Sequence, residues 1–263
     1  MTSFNPILSI ITINYNDKVG LERTLKSVVP QTYKAFEFLV IDGGSTDGSK
    51  ELIEANKANI NYWVSEPDKG IYNAMNKGIL KANGEYLLFI NSGDELFSPT
   101  VLEENIQFIH TEDLIYFNIN VVGKQESFIK KYPSNITFSY LFEDTLPHPA
   151  TCIKKSLFAK IGLYDETLKI VSDWKWFILA LVKHNVNYKY YNTVFSTFYL
   201  DGISSQKESV THLLKERNLV LNTEFPLFTE DTKSLIELRK TVADFKNSRK
   251  TKWLTKFNLI NRI

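Results

Sequence analysis

The chain has 263 residues, 43% of them hydrophobic, and a net charge of +1. That length holds one large α/β domain or two small ones with a proper core, and the near-neutral balance gives no global pull towards nucleic acid. A single cysteine, Cys152, rules out an internal disulfide and reads as a small core residue beside Thr151 and Ile153.

The opening Met1-Thr2-Ser3-Phe4-Asn5-Pro6 lacks the basic and apolar regions of a signal peptide. No apolar run approaches the ~20 residues that span a bilayer. The expectation is a cytoplasmic protein whose membrane contact, if it has any, is peripheral.

The first strand, Ile7 to Ile13, is almost wholly apolar and β-branched, and ends in Asn14-Tyr15-Asn16-Asp17. Asn16 or Asp17 can cap a helix that carries Leu21, Leu25 and Val28 on one face and stops at Pro30. A second strand, Phe36 to Ile41, ends in Asp42-Gly43-Gly44-Ser45-Thr46-Asp47, where Ser45 or Asp47 caps a helix through Leu52 and Ile53. A short strand from Ile60 to Ser65 leads through Asp68-Lys69-Gly70 into a helix from Ile71 to about Ala82, with Met75 and Ile79 facing inward. Asn83-Gly84 ends it. Tyr86 to Ile90 is a continuous apolar run, so a strand buried on both faces, and it stops at Asn91-Ser92-Gly93-Asp94.

Strands alternating with helices at this spacing predict βαβ units and a parallel sheet. The segments at 14–17, 42–45 and 91–94 then share one sheet edge, the edge where open α/β sheets bind ligands. A carboxylate there suits Mg²⁺ or Mn²⁺ shared with a phosphorylated ligand. An ordinary Asx turn in a solvated loop is the other reading of Asn91 to Asp94.

In the second half, Leu114 to Val122 and Phe128 to Tyr132 read as strands around a turn near Gly123. Tyr140 to Phe142 reads as a short helix or turn. His148, between Pro147 and Pro149, is expected in an extended segment, as an acceptor- or phosphate-contacting side chain or as a surface residue. Lys155 to Ile161 is a short helix, after which Asp165 and Glu166 read as structural caps. Ile170 to Phe177 opens a helix to about His184, with Asp173 in its first turn. Tyr188 to Tyr191 and Val194 to Tyr199 look like two paired strands about Asn192-Thr193, followed by a polar loop, 201–205. Helices are expected at Val210 to Leu221 and Thr232 to Asp244. The stretch 239–263 is basic and interleaved with Phe245, Trp253, Leu254 and Phe257. Such a segment can lie on an anionic membrane surface, or pack on the body or a second subunit.

Four runs carry a family likeness: Ile11 to Asn16, Val40 to Ser49, Asp68 to Ile79, and Asn91 to Glu95. In this order, over about ninety residues, they resemble the inverting glycosyltransferases of family 2, of the bacterial type that assembles capsule, exopolysaccharide or lipopolysaccharide. The resemblance implies an α/β GT-A fold: a Rossmann-like, mostly parallel central sheet flanked by helices, with a C-terminal helical segment. It divides the chain into a glycosyltransferase domain, 1–205, and a helical, basic extension, 206–263. The domain has a nucleotide-sugar half, 1–97, and an acceptor half, 98–205.

It also implies roles. Tyr15 would pack on the base, and Asp42 with Gly43 would meet base or ribose. Asp68, Lys69, Ser92 and Gly93 would line the donor, Asp94 would bind Mn²⁺ or Mg²⁺, and His148 would lie near the acceptor or a phosphate. Asp173 would be the general base, against its plainer reading as an acid at a helix N-terminus. Many relatives carry a second acid where this chain has Gly43, and another where it has Gly93. The partners implied are a nucleotide-diphosphate sugar, UDP-linked for preference, and a glycan or lipid-linked acceptor, with no nucleic acid. One base and one metal ligand suffice for a single in-line displacement with inversion.

A non-catalytic nucleotide- or glycan-binding partner with a decayed site is the alternative, opposed by retention of Asp94 and Asp173. A nucleotidyltransferase would carry a glycine-rich basic loop where this chain has Asn14-Tyr15-Asn16-Asp17. A dinucleotide oxidoreductase would need Gly-x-Gly-x-x-Gly after the first strand, which is missing.

Overall fold

The computed structural model describes residues 6–110, 112–123, 126–200 and 207–248. β1 (Leu8–Asn14) has all but one of its residues buried, as its β-branched run requires. Asp17 caps α1 (Lys18–Val28) by accepting from the Gly20 amide at 2.9 Å, and Leu21, Leu25 and Val28 form its buried stripe. β2 (Phe36–Asp42), α2 (Ser49–Ala55) and β3 (Tyr62–Ser65) follow. α3 (Ile71–Lys81) buries Tyr72, Met75, Asn76 and Ile79, and lies on β1 at Gly78. A Cβ at Gly78 would come 2.6 Å from Ile11 Cγ2, so glycine sets that close approach. β4 (Tyr86–Phe89) is fully buried.

The chain continues through β5 (Glu95–Leu96), α4 (Val101–Asn105), β6 (Leu114–Val122) and β7 (Ser127–Lys130). Next come α5 (Phe138–Glu143), β8 (Thr151–Lys154), α6 (Ser156–Ile161) and α7 (Ser172–Ile178). β9 (Tyr188–Tyr199), α8 (Lys207–Glu224) and α9 (Pro226–Asn247) complete the described elements.

The strands form one sheet in the order β3-β2-β1-β4-β8-β6-β9-β5, with β7 beside β6. β1 is parallel to β2 and β4, and β2 to β3. β8 runs antiparallel to both β4 and β6, and β6 is parallel to β9. The long strands therefore share one direction, with the short β8 reversed among them. This is the GT-A arrangement, and it sets the carboxyl ends of β1 to β4 along one edge.

Two expectations change. The two paired strands at 188–191 and 194–199 are one strand, β9, running parallel to β6. Asn192-Thr193 marks a register shift rather than a turn: Asn118 donates to the Asn192 side-chain oxygen at 3.0 Å, and the irregularity falls at Asn118. The helix expected to run to His184 is α-helical only to Ile178 and continues as a π-helical turn over Leu179–Lys183.

A second, smaller core gathers Leu141, Leu168, Val171, Trp174 and Ile178 with Val220, Leu221 and Phe225 of the C-terminal helices. Among the described residues no helix is long and apolar enough to cross a membrane. The loop expected at 201–205, and the tail beyond 248, lie outside them.

Candidate active site

The strand ends are laced together by one buried polar network. Asn14, at the end of β1, donates to Asp42 Oδ1 at 2.7 Å and to Ser45 Oγ at 3.2 Å, while its oxygen accepts from Ser92 Oγ at 2.8 Å. Asp42, at the end of β2, is fully buried. Beyond Asn14 it accepts from Ser45 Oγ at 2.5 Å, Ser65 Oγ at 2.6 Å and the amides of Ser45 and Gly44 at 2.9 and 3.2 Å. Burial opposes its ionisation, but the bonds from Ser45, Ser65 and Asn14 outweigh that and hold the carboxyl below its ordinary value. The structure thus turns Asp42 inward, as the frame that locks β1, β2, β3 and β4 together.

Outside this frame lies an open surface. Tyr15 is 65% exposed. A Cβ at Gly43 would sit 2.5 Å from Asp68 Oδ2 and 3.0 Å from the Tyr15 ring, so Tyr15, Gly43 and Asp68 converge on one spot. Asp68 Oδ1 accepts from the Gly70 amide at 2.8 Å, and the side chain of Lys69 is exposed.

Gly93 adopts φ +98°, a conformation that L side chains resist. The turn it makes is fastened by Arg23, which donates to the Gly93 carbonyl at 3.2 Å, and by Thr24, which donates to the Asp94 carbonyl at 2.7 Å. Ser92 is committed to Asn14, and Asp94 is buried at 8% exposure. Among the described residues no three His, Cys, Asp or Glu side chains converge to hold an ion alone. The same turn offers the Asp94 carboxylate and the buried Asn91 Oδ1, which has no hydrogen-bond partner. An oxygen-only set this sparse fits Mg²⁺ or Mn²⁺ completed by substrate phosphates, not a closed protein cage.

Asp173 reaches the same region from the far half of the sequence. Tyr72, buried in the first turn of α3, donates its hydroxyl to Asp173 Oδ1 at 2.8 Å across 101 positions. Burial and the neighbouring Asp173 charge push the Tyr72 hydroxyl well above its ordinary pKa, so it stays a donor. The next turns of α3 grip the acceptor half as well. Asn73 and Asn76 donate to Glu166 at 2.9 Å each, and Asn76 also donates to the Tyr164 carbonyl at 2.9 Å. Glu166 thus bridges to α3, while Asp165 accepts from the Thr167 amide and pairs with Lys175 at 2.7 Å.

His148 does not lie in an extended surface segment. It opens a single 3-10 turn, His148–Ala150, and is 8% exposed, with its ring stacked on Phe89 at 4.6 Å. Its Nε2 is 2.9 Å from the Tyr164 hydroxyl. Burial lowers its pKa, against the pull of the Asp173 charge. The ring is therefore a buried residue close enough to feel the Asp173 charge.

A family model described as "Glycosyl transferase family 2" matches residues 9–162, more than half the chain. The chain belongs to glycosyl transferase family 2. This glycosyltransferase is 34% identical over 209 residues to an uncharacterized glycosyltransferase of Mycobacterium tuberculosis, covering 77% of this chain and 79% of that one. It is 28% identical over 199 residues to a PGL/p-HBAD biosynthesis glycosyltransferase of Mycobacterium bovis, covering 73% and 77%. Among solved structures, S. aureus TarS 1–349 in complex with UDP-GlcNAc superposes with a TM-score of 0.64 at 19% identity, over 82% of this chain and 66% of that one. A Pyrobaculum calidifontis mannosyltransferase holding GDP-Man and Mn²⁺ gives 0.57 at 13% identity, over 97% and 84%. The family match spans the donor-side strand ends and takes in Tyr72 and His148, but stops before α7, so Asp173 itself lies beyond it.

Two participants escaped the reading of the sequence of this glycosyltransferase. Asn14 looked like a loop acceptor, yet it joins three strand ends. Tyr72 stands three residues before Met75 and seven before Ile79, so the helical period that buried those two also marked it; its polar tip was the missed signal.

Proposed function

We propose that this glycosyltransferase moves a sugar from a nucleotide-diphosphate donor, UDP-linked for preference, to a glycan or lipid-linked acceptor with inversion, in surface-polysaccharide assembly at the cytoplasmic side of the membrane. The observation that carries the reading is the Tyr72–Asp173 hydrogen bond. It fastens an acid of the acceptor half to α3, the helix between β3 and β4 on the donor side. The donor complexes of TarS and of the mannosyltransferase, both of the same fold, support a nucleotide-sugar ligand.

The base would stack on Tyr15 above the Gly43 slot, with Asp68 at its edge. Asp42 holds the slot's shape from behind, and Lys69 offers a cation at the rim. Asp94 would hold Mg²⁺ or Mn²⁺, with Asn91 beside it, and the ion would offset the charge that develops on the diphosphate leaving group. Tyr72 occupies Asp173 Oδ1, which leaves Oδ2 to take the proton of the acceptor hydroxyl as that oxygen attacks the anomeric carbon. His148, ringed by Phe89 and Tyr164, walls the floor beneath Asp173. On α9, exposed Leu238, Val242 and Phe245 lie beside Arg239, Lys240 and Lys246, which supports contact with an anionic membrane surface through 239–263.

The test is product identity with a lipid-linked or oligosaccharide acceptor. Release of a nucleoside diphosphate and a product of inverted anomeric configuration by NMR are expected, with both lost in Asp173→Asn. Metal-dependent nucleotide binding with no turnover on any acceptor would favour the non-catalytic partner instead.

A further inference from the structure

The segment that presents Asp173 is held by a helix far along the chain. Glu216, on α8, accepts from three successive backbone amides: Lys169 at 2.8 Å through Oε1, and Ile170 and Val171 at 3.0 and 3.3 Å through Oε2. Val171 is the residue before α7, so the clamp closes two residues ahead of Asp173. The next residue of α8, Arg217, lies over the Trp174 ring with Cζ 4.8 Å from its centroid, and donates to the Glu143 carbonyl at 3.1 Å. Trp174, directly after Asp173, is buried and donates to the Leu141 carbonyl at 2.6 Å. Consecutive residues of α8 thus fix the backbone before Asp173 and the side chain after it. Val220 and Leu221, one turn on, pack in the same core as Val171 and Trp174.

We propose that α8 is a working part of the catalytic unit, with Glu216 the positioning residue that sets the first turn of α7 and Arg217 its second hold. This rests on Asp173 being the base. Three parallel amides need an acceptor with two oxygens and a full charge, and only a carboxylate supplies both. Without it the 169–171 backbone must find water, and the turn behind Asp173 is free to shift. A misplacement of about 1 Å at a reacting group costs on the order of a hundredfold in rate. Donor binding, built on the ends of β1 to β4, does not pass through this clamp.

The experiment compares Glu216→Ala, Glu216→Gln and Asp173→Asn, alone and combined, by kcat, UDP affinity with Mn²⁺, and melting temperature. Glu216→Ala is expected to lower kcat at least tenfold with UDP affinity unchanged within twofold. Glu216→Gln keeps the shape and one acceptor oxygen, so it should fold and fall between. Adding Glu216→Ala to Asp173→Asn should cost nothing more in residual activity, since the clamp acts only through that carboxylate. A folded Glu216→Gln or Glu216→Ala with unchanged kcat overturns the proposal while Asp173→Asn keeps only a residual rate. A further loss in the double variant equal to that in the single one also overturns it, by showing a role independent of Asp173. An active Asp173→Asn would instead sink the assignment of the base itself.

Discussion

Replacing Asp42 by asparagine separates a frame from a ligand contact. The side chain keeps its shape but trades one oxygen for an NH₂. If the NH₂ stands at Oδ2, the amides of Gly44 and Ser45 both face a donor. If it stands at Oδ1, only the Asn14 amide does, since the Ser45 hydroxyl can turn to accept. The second placement is cheaper. It leaves one buried donor unpaired, about 1–3 kcal/mol, and weakens the remaining bonds by removing their charge. A total near 3 kcal/mol should lower the melting temperature by about 6–12 °C in a chain of this size. The folded carboxyl sits below the ordinary value of 3.8. The stability it lends is therefore complete above that value and is lost as pH falls through the lower, folded one. Urea denaturation at neutral pH should show the deficit, and the two proteins should converge in acid. Titration with UDP and Mn²⁺ should find the folded variant binding, more weakly. An Asp42→Asn protein as stable as wild type that has lost nucleotide binding altogether would refute the reasoning, because the carboxylate would then be spent on the ligand.

Tyr72→Phe removes a buried donor to a carboxylate and should cut kcat roughly tenfold, near the low end of the worth of a hydrogen bond to a charged group. Steady-state kinetics should show donor affinity untouched. The two glycines should part company. Gly93→Ala meets nothing nearer than Asp17 Oδ2 at 3.9 Å, so it should cost only its strained backbone, about 1–2 kcal/mol in a denaturation curve. Gly43→Ala drives a methyl into Asp68 and the Tyr15 ring, so calorimetry should show nucleotide affinity falling more than stability. Saturation with UDP and Mn²⁺ at ~100 times the dissociation constant should add about 2.7 kcal/mol of stability, and EDTA or Asp94→Ala should abolish the gain in a melting scan.

The donor side was legible because its elements are local. Apolar runs and the helical period end sharply near Asn14, Asp42, Ser65 and Asn91; the first three are the last residues of β1, β2 and β3, and Asn91 follows the end of β4 by two residues. Three of the four family runs fall on the stops at Asn14, Asp42 and Asn91, and the fourth, Asp68 to Ile79, follows the one at Ser65. The far side was less legible because its order is set by distant partners. Asn192-Thr193 carries a turn's composition, yet β6 pairs with the chain on both sides of it, Tyr116 with Tyr190 and Asn118 with Val194, and so draws the strand through. His148 between two prolines suggests a stiff exposed loop, but Phe89, Tyr164 and Phe177 close over it. Glu216 carried no signal, since nothing near it in sequence reveals three amides 45 to 47 positions upstream. Asp42 was legible as important but not as inward-facing, because two of its donors, Asn14 and Ser65, come from other strand ends and join those of its own loop.

The reversed strand β8 has a consequence for how the chain comes off the ribosome. β4 meets β1 on one side and β8 on the other, and β8 is also what joins β4 to β6. Until Thr151–Lys154 emerges, the four parallel strands already made present the apolar flank of β4 with unpaired amides and carbonyls, a ready template for a neighbouring nascent chain. Fragments ending before residue 150 should therefore collect in inclusion bodies, while those that carry β8 and the helices beyond it should not. Four residues, Thr151–Lys154, thus close the flank of β4 and join the two halves of the sheet.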